Sequence, residues 1–165
     1  MSVRILVVDD KPEVLGLIKD TVAALGWCEV LPLVDSREVA RYLESQKVEG
    51  IVVDADMPHL DGFEVTKQVR ASQLNARVPV VMLTEENDIE TMRKGFKVGI
   101  TFFAAKPTNR ERVYKLFNAV RGAMVNEKRR RHRLPYRTTV QCRWESTARN
   151  ILWRKAWRSA KAVCR

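Results

Sequence analysis

The amino-acid sequence predicts an α/β fold: a small doubly wound domain of five βα units on a parallel sheet, followed by a short basic appendage. Three observations predict it. Short apolar, β-branched runs recur between Arg4 and Ala104, and they are continuous rather than alternating, as in strands covered on both faces. The stretches between them carry helical spacing, and parallel strands need crossovers of that kind. Charge divides the chain: residues 1–125 hold 17 basic and 18 acidic side chains, whereas residues 126–165 hold 13 and 2. The net charge of +10 therefore belongs to the tail, and any attraction to anionic partners concerns the tail and not the body. The 165 residues suffice for one domain, residues 1–125, with residues 126–165 as its appendage, and exclude most large enzymes.

Strands are expected at Arg4–Val8, Cys28–Val34, Ile51–Val53, Val78–Leu83 and Ile100–Ala104. Helices are expected near Glu13–Leu25, Arg37–Ser45, Gly62–Ser72, Ile89–Val98 and Arg112–Val125. The first helix begins beside Pro12, shows Val14, Leu15, Ile18, Val22 and Leu25 on one stripe, and is followed by Gly26. Lys128–Arg133 is a charge run, and Pro135 ends any helix before it. Beyond it Thr138, Val140, Cys142 and Trp144 alternate as a strand does. Leu152, Trp153, Ala156, Trp157, Ala160, Val163 and Cys164 then form the apolar side of a basic amphipathic helix. Cys28, Cys142 and Cys164 have neither disulfide nor zinc spacing. Asp9 and Asp10 cut short the first apolar run, so no signal peptide is expected and the protein is expected to be cytoplasmic.

In an open parallel sheet the ligand site lies beyond the carboxyl ends of the strands. Asp9 and Asp10 follow the first strand, Asp54 and Asp56 the third, Thr84 the fourth, and Lys106 and Pro107 the fifth. The second strand is followed by nothing obvious. If the strand order is 2-1-3-4-5, Asp9, Asp10 and Asp54 share a pocket. Two carboxylates about 4 Å apart repel by roughly 4 kcal/mol at an effective dielectric near 20, so three together call for a proton or a cation. Mg²⁺ suits such a set, with the backbone carbonyl of Asp56 as a further ligand. Lys106 would then neutralise a phosphoryl group, Thr84 would donate to its oxygen, and Asp54 would be the nucleophile. The chemistry implied is phosphoryl transfer to aspartate.

Ile5-Leu6-Val7-Val8-Asp9-Asp10, Asp54 with Met57-Pro58 and Asp61-Gly62, Val80-Val81-Met82-Leu83-Thr84, and Lys106-Pro107 give the body a specific likeness. It resembles the receiver domain of a two-component response regulator, similar in fold to the chemotaxis regulator, a flavodoxin-like sheet of order 2-1-3-4-5. The resemblance implies a signalling domain and not an enzyme. It makes Asp54 the phosphoacceptor, loaded by a sensor histidine kinase, a phosphotransfer protein or a small phosphodonor. It makes Asp9, Asp10, Asp54 and the Asp56 carbonyl the Mg²⁺ ligands, and Thr84 and Lys106 the sensors of the phosphoryl group. It places an aromatic switch at Phe103, a cis peptide before Pro107, and an output surface around the fourth helix and fifth strand. Glu85 departs from the pattern, which has a small residue after Thr84, and an altered phosphoryl lifetime is expected.

Asp54-Ala55-Asp56 also resembles the start of a haloacid-dehalogenase-type phosphatase, with Asp54 as nucleophile and Asp56 as acid/base. Motif order opposes that alternative, because Asp9 and Asp10 precede Asp54 where such enzymes place their acidic pair after the lysine. His59 and His132 are the chain's two histidines, and G-x-S-x-G is absent, so serine or cysteine catalysis has no support. His59 reads as an exposed loop residue beside the site.

In the tail, Arg129-Arg130-Arg131-His132-Arg133 resembles the opening of a PilZ domain, in which Arg129 and Arg133 would bind cyclic di-GMP phosphates. The family's second motif needs a glycine, and the last in the chain is Gly122, so the resemblance is to an incomplete PilZ domain. Attachment to nucleic acid or an anionic membrane through Trp153 and Trp157 is a second reading, and packing of the Trp stripe on the body or another subunit a third. The oligomeric state is open.

Overall fold

The computed structural model describes residues 3–85 and 89–132, with side chains as far as Arg129. Among these residues lies a five-stranded, all-parallel sheet of order β2-β1-β3-β4-β5, the order on which the shared pocket depends. The strands are β1 (Val3–Val8), β2 (Cys28–Leu33), β3 (Gly50–Asp54), β4 (Val80–Thr84) and β5 (Phe102–Ala105). The helices are α1 (Pro12–Ala23), α2 (Val39–Ser45), α3 (Gly62–Ala71), α4 (Ile89–Val98) and α5 (Arg110–His132).

Each strand alternates its side chains between two cores. Leu6, Val8, Ile51, Val53, Val80 and Met82 face α2 and α3, meeting Val39, Leu43, Phe63, Val65 and Val69. Ile5, Val7, Val52, Val81 and Leu83 face α1 and α5, meeting Ile18, Val22, Val113, Phe117 and Val120. Burial on both faces is why the central strands read as unbroken apolar runs.

The boundaries that differ from expectation have local causes. Asp35 accepts from the Arg37 N–H at 2.9 Å and tightens Ser36–Glu38 into a 3₁₀ turn, so α2 begins only at Val39. Pro79 has no N–H to give a ladder, and β4 starts after it. Gly99, at φ 103°, lets the Ile100 N–H turn back to the Gly95 carbonyl at 3.0 Å, so Ile100 closes α4 rather than opening β5. The Asn109 carboxamide oxygen accepts from the Arg112 N–H at 3.0 Å, starting α5 early. Lys and Arg are good helix formers, and α5 runs through Lys128 and Arg129 to His132.

α4 is lightly seated. Among its described residues Gly95 is the buried one, while Ile89 and Phe96 are 68% and 56% exposed. A Cβ on Gly95 would strike the Phe103 ring and come within 2.8 Å of Ile100 Cδ1, so this glycine is the notch that admits Phe103. Phe103 also meets Phe96 edge to face, with ring centroids 5.5 Å apart. Among the described residues no helix is long and apolar enough to cross a membrane. The expected strand Thr138–Trp144, the amphipathic helix from Leu152 and Arg133 lie outside the described residues.

Candidate functional site

The site follows from strand order. β1 and β3 are neighbours, with Val8 paired to Val53, so the residues that come next, Asp9 just past β1 and Asp54 at the end of β3, stand side by side. Both are fully buried, and Asp10 is half-buried beside them. One carboxylate oxygen from each of Asp9, Asp10 and Asp54 falls within 4.8 Å of the others. Lys106 leaves the end of β5, two strands from β3, and its long side chain crosses β4 to place Nζ 2.8 Å from Asp54 Oδ2. Adjacent strands are about 4.8 Å apart, so a shorter cation would not span the gap. Thr84 is buried at the end of β4 between them.

Asp54 Oδ1 accepts a long bond of 3.4 Å from the Asp56 N–H, and the Asp56 side chain is exposed, outside the carboxylate cluster. Asp9 Oδ1 accepts from the Lys11 N–H at 2.9 Å. Asp9 Oδ2 and Asp10 Oδ1 are buried without a hydrogen-bond partner among the described residues. Orphaned oxygens of this kind carry a large desolvation cost. Two of them on residues of one carboxylate cluster are an arrangement that a hard divalent cation such as Mg²⁺ would satisfy.

The electrostatics agree. Burial pushes the Asp9 carboxyl up to about 6 against an opposing Lys11 N–H, and the charge of Asp54 adds to the rise. Burial also lifts Asp54 above the usual carboxylate range, although the Lys106 hydrogen bond and charge pull the other way. For Lys106 burial opposes the charge, but the hydrogen bond and charge of Asp54, then Asp9 and Glu85, hold the ammonium above its ordinary value. Three carboxylates and one ammonium leave the pocket with unbalanced negative charge.

Gly62 opens α3 directly beneath the nucleophile candidate. A Cβ there would meet the Asp54 carbonyl oxygen and come within 2.8 Å of Met82 Cε, so only glycine lets α3 approach β3 this closely. Its N–H donates to the Ala55 carbonyl at 3.0 Å, and a reciprocal capping box between Asp61 and Glu64 fixes the helix start. The motif Asp61-Gly62 was visible in the sequence, whereas its packing role was not.

Other expected residues are placed as follows. His59 is exposed on the loop after β3, and Glu85 is exposed after β4. Phe103 is half-buried against α4. The Lys106–Pro107 peptide is trans, which corrects the expected cis bond: among the described residues every peptide is trans. Trans is the favoured isomer by about 0.5–1 kcal/mol even before proline, and here it already delivers Lys106 to Asp54. Of the pair assigned to cyclic di-GMP, Arg129 is exposed on α5. A residue that the sequence did not single out is Ser36, buried in the 3₁₀ turn that follows β2 and bonded to the loop after β3.

Comparison with known proteins adds four likenesses. Residues 5–118 match the family model described as the response regulator receiver domain. The chain is 33% identical over 107 residues to the alkaline phosphatase synthesis transcriptional regulatory protein PhoP of Bacillus subtilis, a match covering 65% of this chain and 43% of that protein. The chain thus spans less than half of that relative's length. The structure of chemotaxis protein CheY4 of Vibrio cholerae superposes with a TM-score of 0.67 at 31% identity, covering 73% of this chain and 99% of that one. The receiver domain of the sensor histidine kinase PA1611 of Pseudomonas aeruginosa, solved with a magnesium ion coordinated in its active-site cleft, superposes with a TM-score of 0.65 at 26% identity, covering 76% and 99%.

Proposed function

The chain belongs to the response regulator receiver domain family, which serves phosphorelay signalling, and from that premise we propose that Asp54 is the residue that carries the phosphoryl group. The proposed receiver unit, residues 1–125, contains all the matched residues. The observation that carries the proposal is a fully buried Asp54 held 2.8 Å from Lys106, beside two orphaned carboxylate oxygens.

Asp9, Asp10, Asp54 and the backbone carbonyl of Asp56 would hold Mg²⁺. When bound, the ion supplies positive charge to the phosphoryl oxygens and offsets repulsion among the carboxylates. The chain's own residues do the rest. An oxygen of Asp54 attacks phosphorus, and the bond from phosphorus to the imidazole nitrogen of a donor phosphohistidine breaks. That nitrogen keeps the electron pair, and Asp54 becomes an acyl phosphate. Lys106, already protonated and aimed at Asp54, pairs with the charge that the phosphoryl group brings. Thr84, at the end of the strand between them, donates its hydroxyl to a phosphoryl oxygen. The donor is a sensor histidine kinase or a phosphotransfer protein.

The phosphatase reading is weaker on the same geometry. It needs Asp56 beside the reacting group as acid/base, whereas the Asp56 side chain is exposed and stands apart from the cluster. Incubation of the full chain with acetyl phosphate and Mg²⁺, followed by intact-mass measurement, tests the proposal. One phosphoryl group is expected on the wild type and none on Asp54→Asn. A label that survives Asp54→Asn removes Asp54 from the role.

A further inference from the structure

We propose that Ser36 is a positioning residue for this site, clasping the loop from which the Asp56 carbonyl reaches the metal. The inference rests on the reading of Asp9, Asp10, Asp54 and Asp56 as the metal's ligands.

The loop between β3 and α3 alternates between anchored and free residues. Met57 and Leu60 are half-buried against the core, while Asp56, Pro58 and His59 are exposed. Between the anchors the chain makes a three-residue turn, closed by the Leu60 N–H donating to the Pro58 carbonyl at 3.1 Å. His59, at its centre, has φ 75°. A turn with an i to i+2 bond and positive φ is the rarer and strained kind of γ-turn, and a non-glycine residue there needs outside support.

Ser36 supplies that support from another part of the chain. It is 2% exposed, and its hydroxyl donates to the Pro58 carbonyl at 3.1 Å while accepting from the Leu60 N–H at 3.2 Å. One side chain thus engages both backbone groups that close the turn. Ser36 is itself fixed, because Asp35 accepts from the Arg37 N–H and pairs with the Arg37 guanidinium at 2.7 Å. In the sheet, β1 with Asp9 and Asp10 at its end lies between β2 and β3, so the clasp joins the two loops that flank those carboxylates.

Asp56 precedes the clasped turn by one residue, Met57. Mg²⁺ demands near-ideal octahedral geometry, and a backbone carbonyl meets that demand only if its loop is held. Groups that orient metal ligands without touching the metal commonly change its affinity by about 10- to 100-fold. Removing the hydroxyl leaves the Pro58 carbonyl with the Leu60 N–H of its own turn but without the bond from β2's side, and frees the turn to relax at His59.

The test is calorimetric titration of Mg²⁺ into the full chain, with thermal unfolding followed in parallel by circular dichroism. Wild type is expected to bind Mg²⁺, and Asp9→Asn to lose it. Ser36→Ala is expected to bind about tenfold more weakly while still unfolding cooperatively. His59→Gly, added to Ser36→Ala, is expected to recover most of the affinity, since glycine takes positive φ without strain. A merely structural role for Ser36 does not predict that recovery. If wild type binds Mg²⁺ and Ser36→Ala binds it equally well, the positioning role is overturned and the site reading stands. If wild type takes up no Mg²⁺, or Asp9→Asn binds unchanged, the site reading fails and takes this inference with it. Should Ser36→Ala not fold, Ser36→Cys, which keeps a weak donor of similar size, is read by the same criteria.

Discussion

Lys106 Nζ sits 2.8 Å from Asp54 Oδ2 with side-chain exposures of 12% and 0%, so one ammonium offsets a pocket that also holds Asp9 and Asp10. Taking one partner from a buried pair leaves an uncompensated charge at a cost of about 3–5 kcal/mol. Lys106→Met is therefore expected to lose about 3 kcal/mol in EDTA. Asp54→Asn removes one of the repelling carboxylates and is expected to unfold at a higher temperature than wild type. Thermal denaturation of both variants checks this, and a Lys106→Met protein as stable as wild type would contradict it.

Asp9 makes metal-free stability depend on pH with a definite sign. Its folded-state pKa is raised from 3.8 to about 6, so the folded state favours the protonated form. The associated stability is complete below 3.8 and is lost as pH rises through about 6. In EDTA the melting temperature of wild type should fall relative to Asp9→Asn across that window, and Mg²⁺ at neutral pH should close the gap. Parallel melting curves at every pH would show that Asp9 titrates normally.

Gly62→Ala places a methyl group against the Asp54 carbonyl oxygen and Met82 Cε, and the first of these is backbone that cannot swing aside. Overpacking of this kind costs about 1–3 kcal/mol. Because the displaced atoms belong to Asp54, labelling by acetyl phosphate is expected to fall as well. A melting curve and an intact-mass time course on the same sample separate the two effects.

Glu85 is exposed, yet its charge contributes to holding the Lys106 ammonium above its ordinary value. Removing it frees Lys106 for the incoming phosphoryl group. Exposed charge pairs are worth about 0.2–1 kcal/mol, so Glu85→Ala is expected to speed labelling by about two- to fivefold and to change the half-life of the phosphorylated form. Identical time courses would mean that Glu85 plays no part.

The acids and the lysine were legible because each directly follows an apolar run, and strand ends are where a doubly wound sheet binds. Ser36 was not legible. It follows the one strand that seemed to end in nothing, and its meaning lies in bonds to Pro58 and Leu60, more than twenty residues away, which no local pattern encodes. Gly62 and Gly95 were visible as letters, but the atoms they make room for come from Asp54, Met82 and Phe103 on separate strands. Pro79 and Gly99 shifted two strand starts for reasons of backbone chemistry that apolar periodicity does not register.

The shallow seating of α4 sets what a message from this pocket can afford to disturb. Of its described residues Gly95 is the buried one, and glycine contributes no side chain to the packing. Segments with little buried apolar surface open at small free-energy cost, so backbone amides of α4 should exchange with solvent deuterium before those of α1 or α3. To reverse a two-state balance from 1:99 to 99:1 takes about 5.5 kcal/mol of differential binding. A helix tethered by a notch rather than a plug is the kind of lever such a modest push can tip.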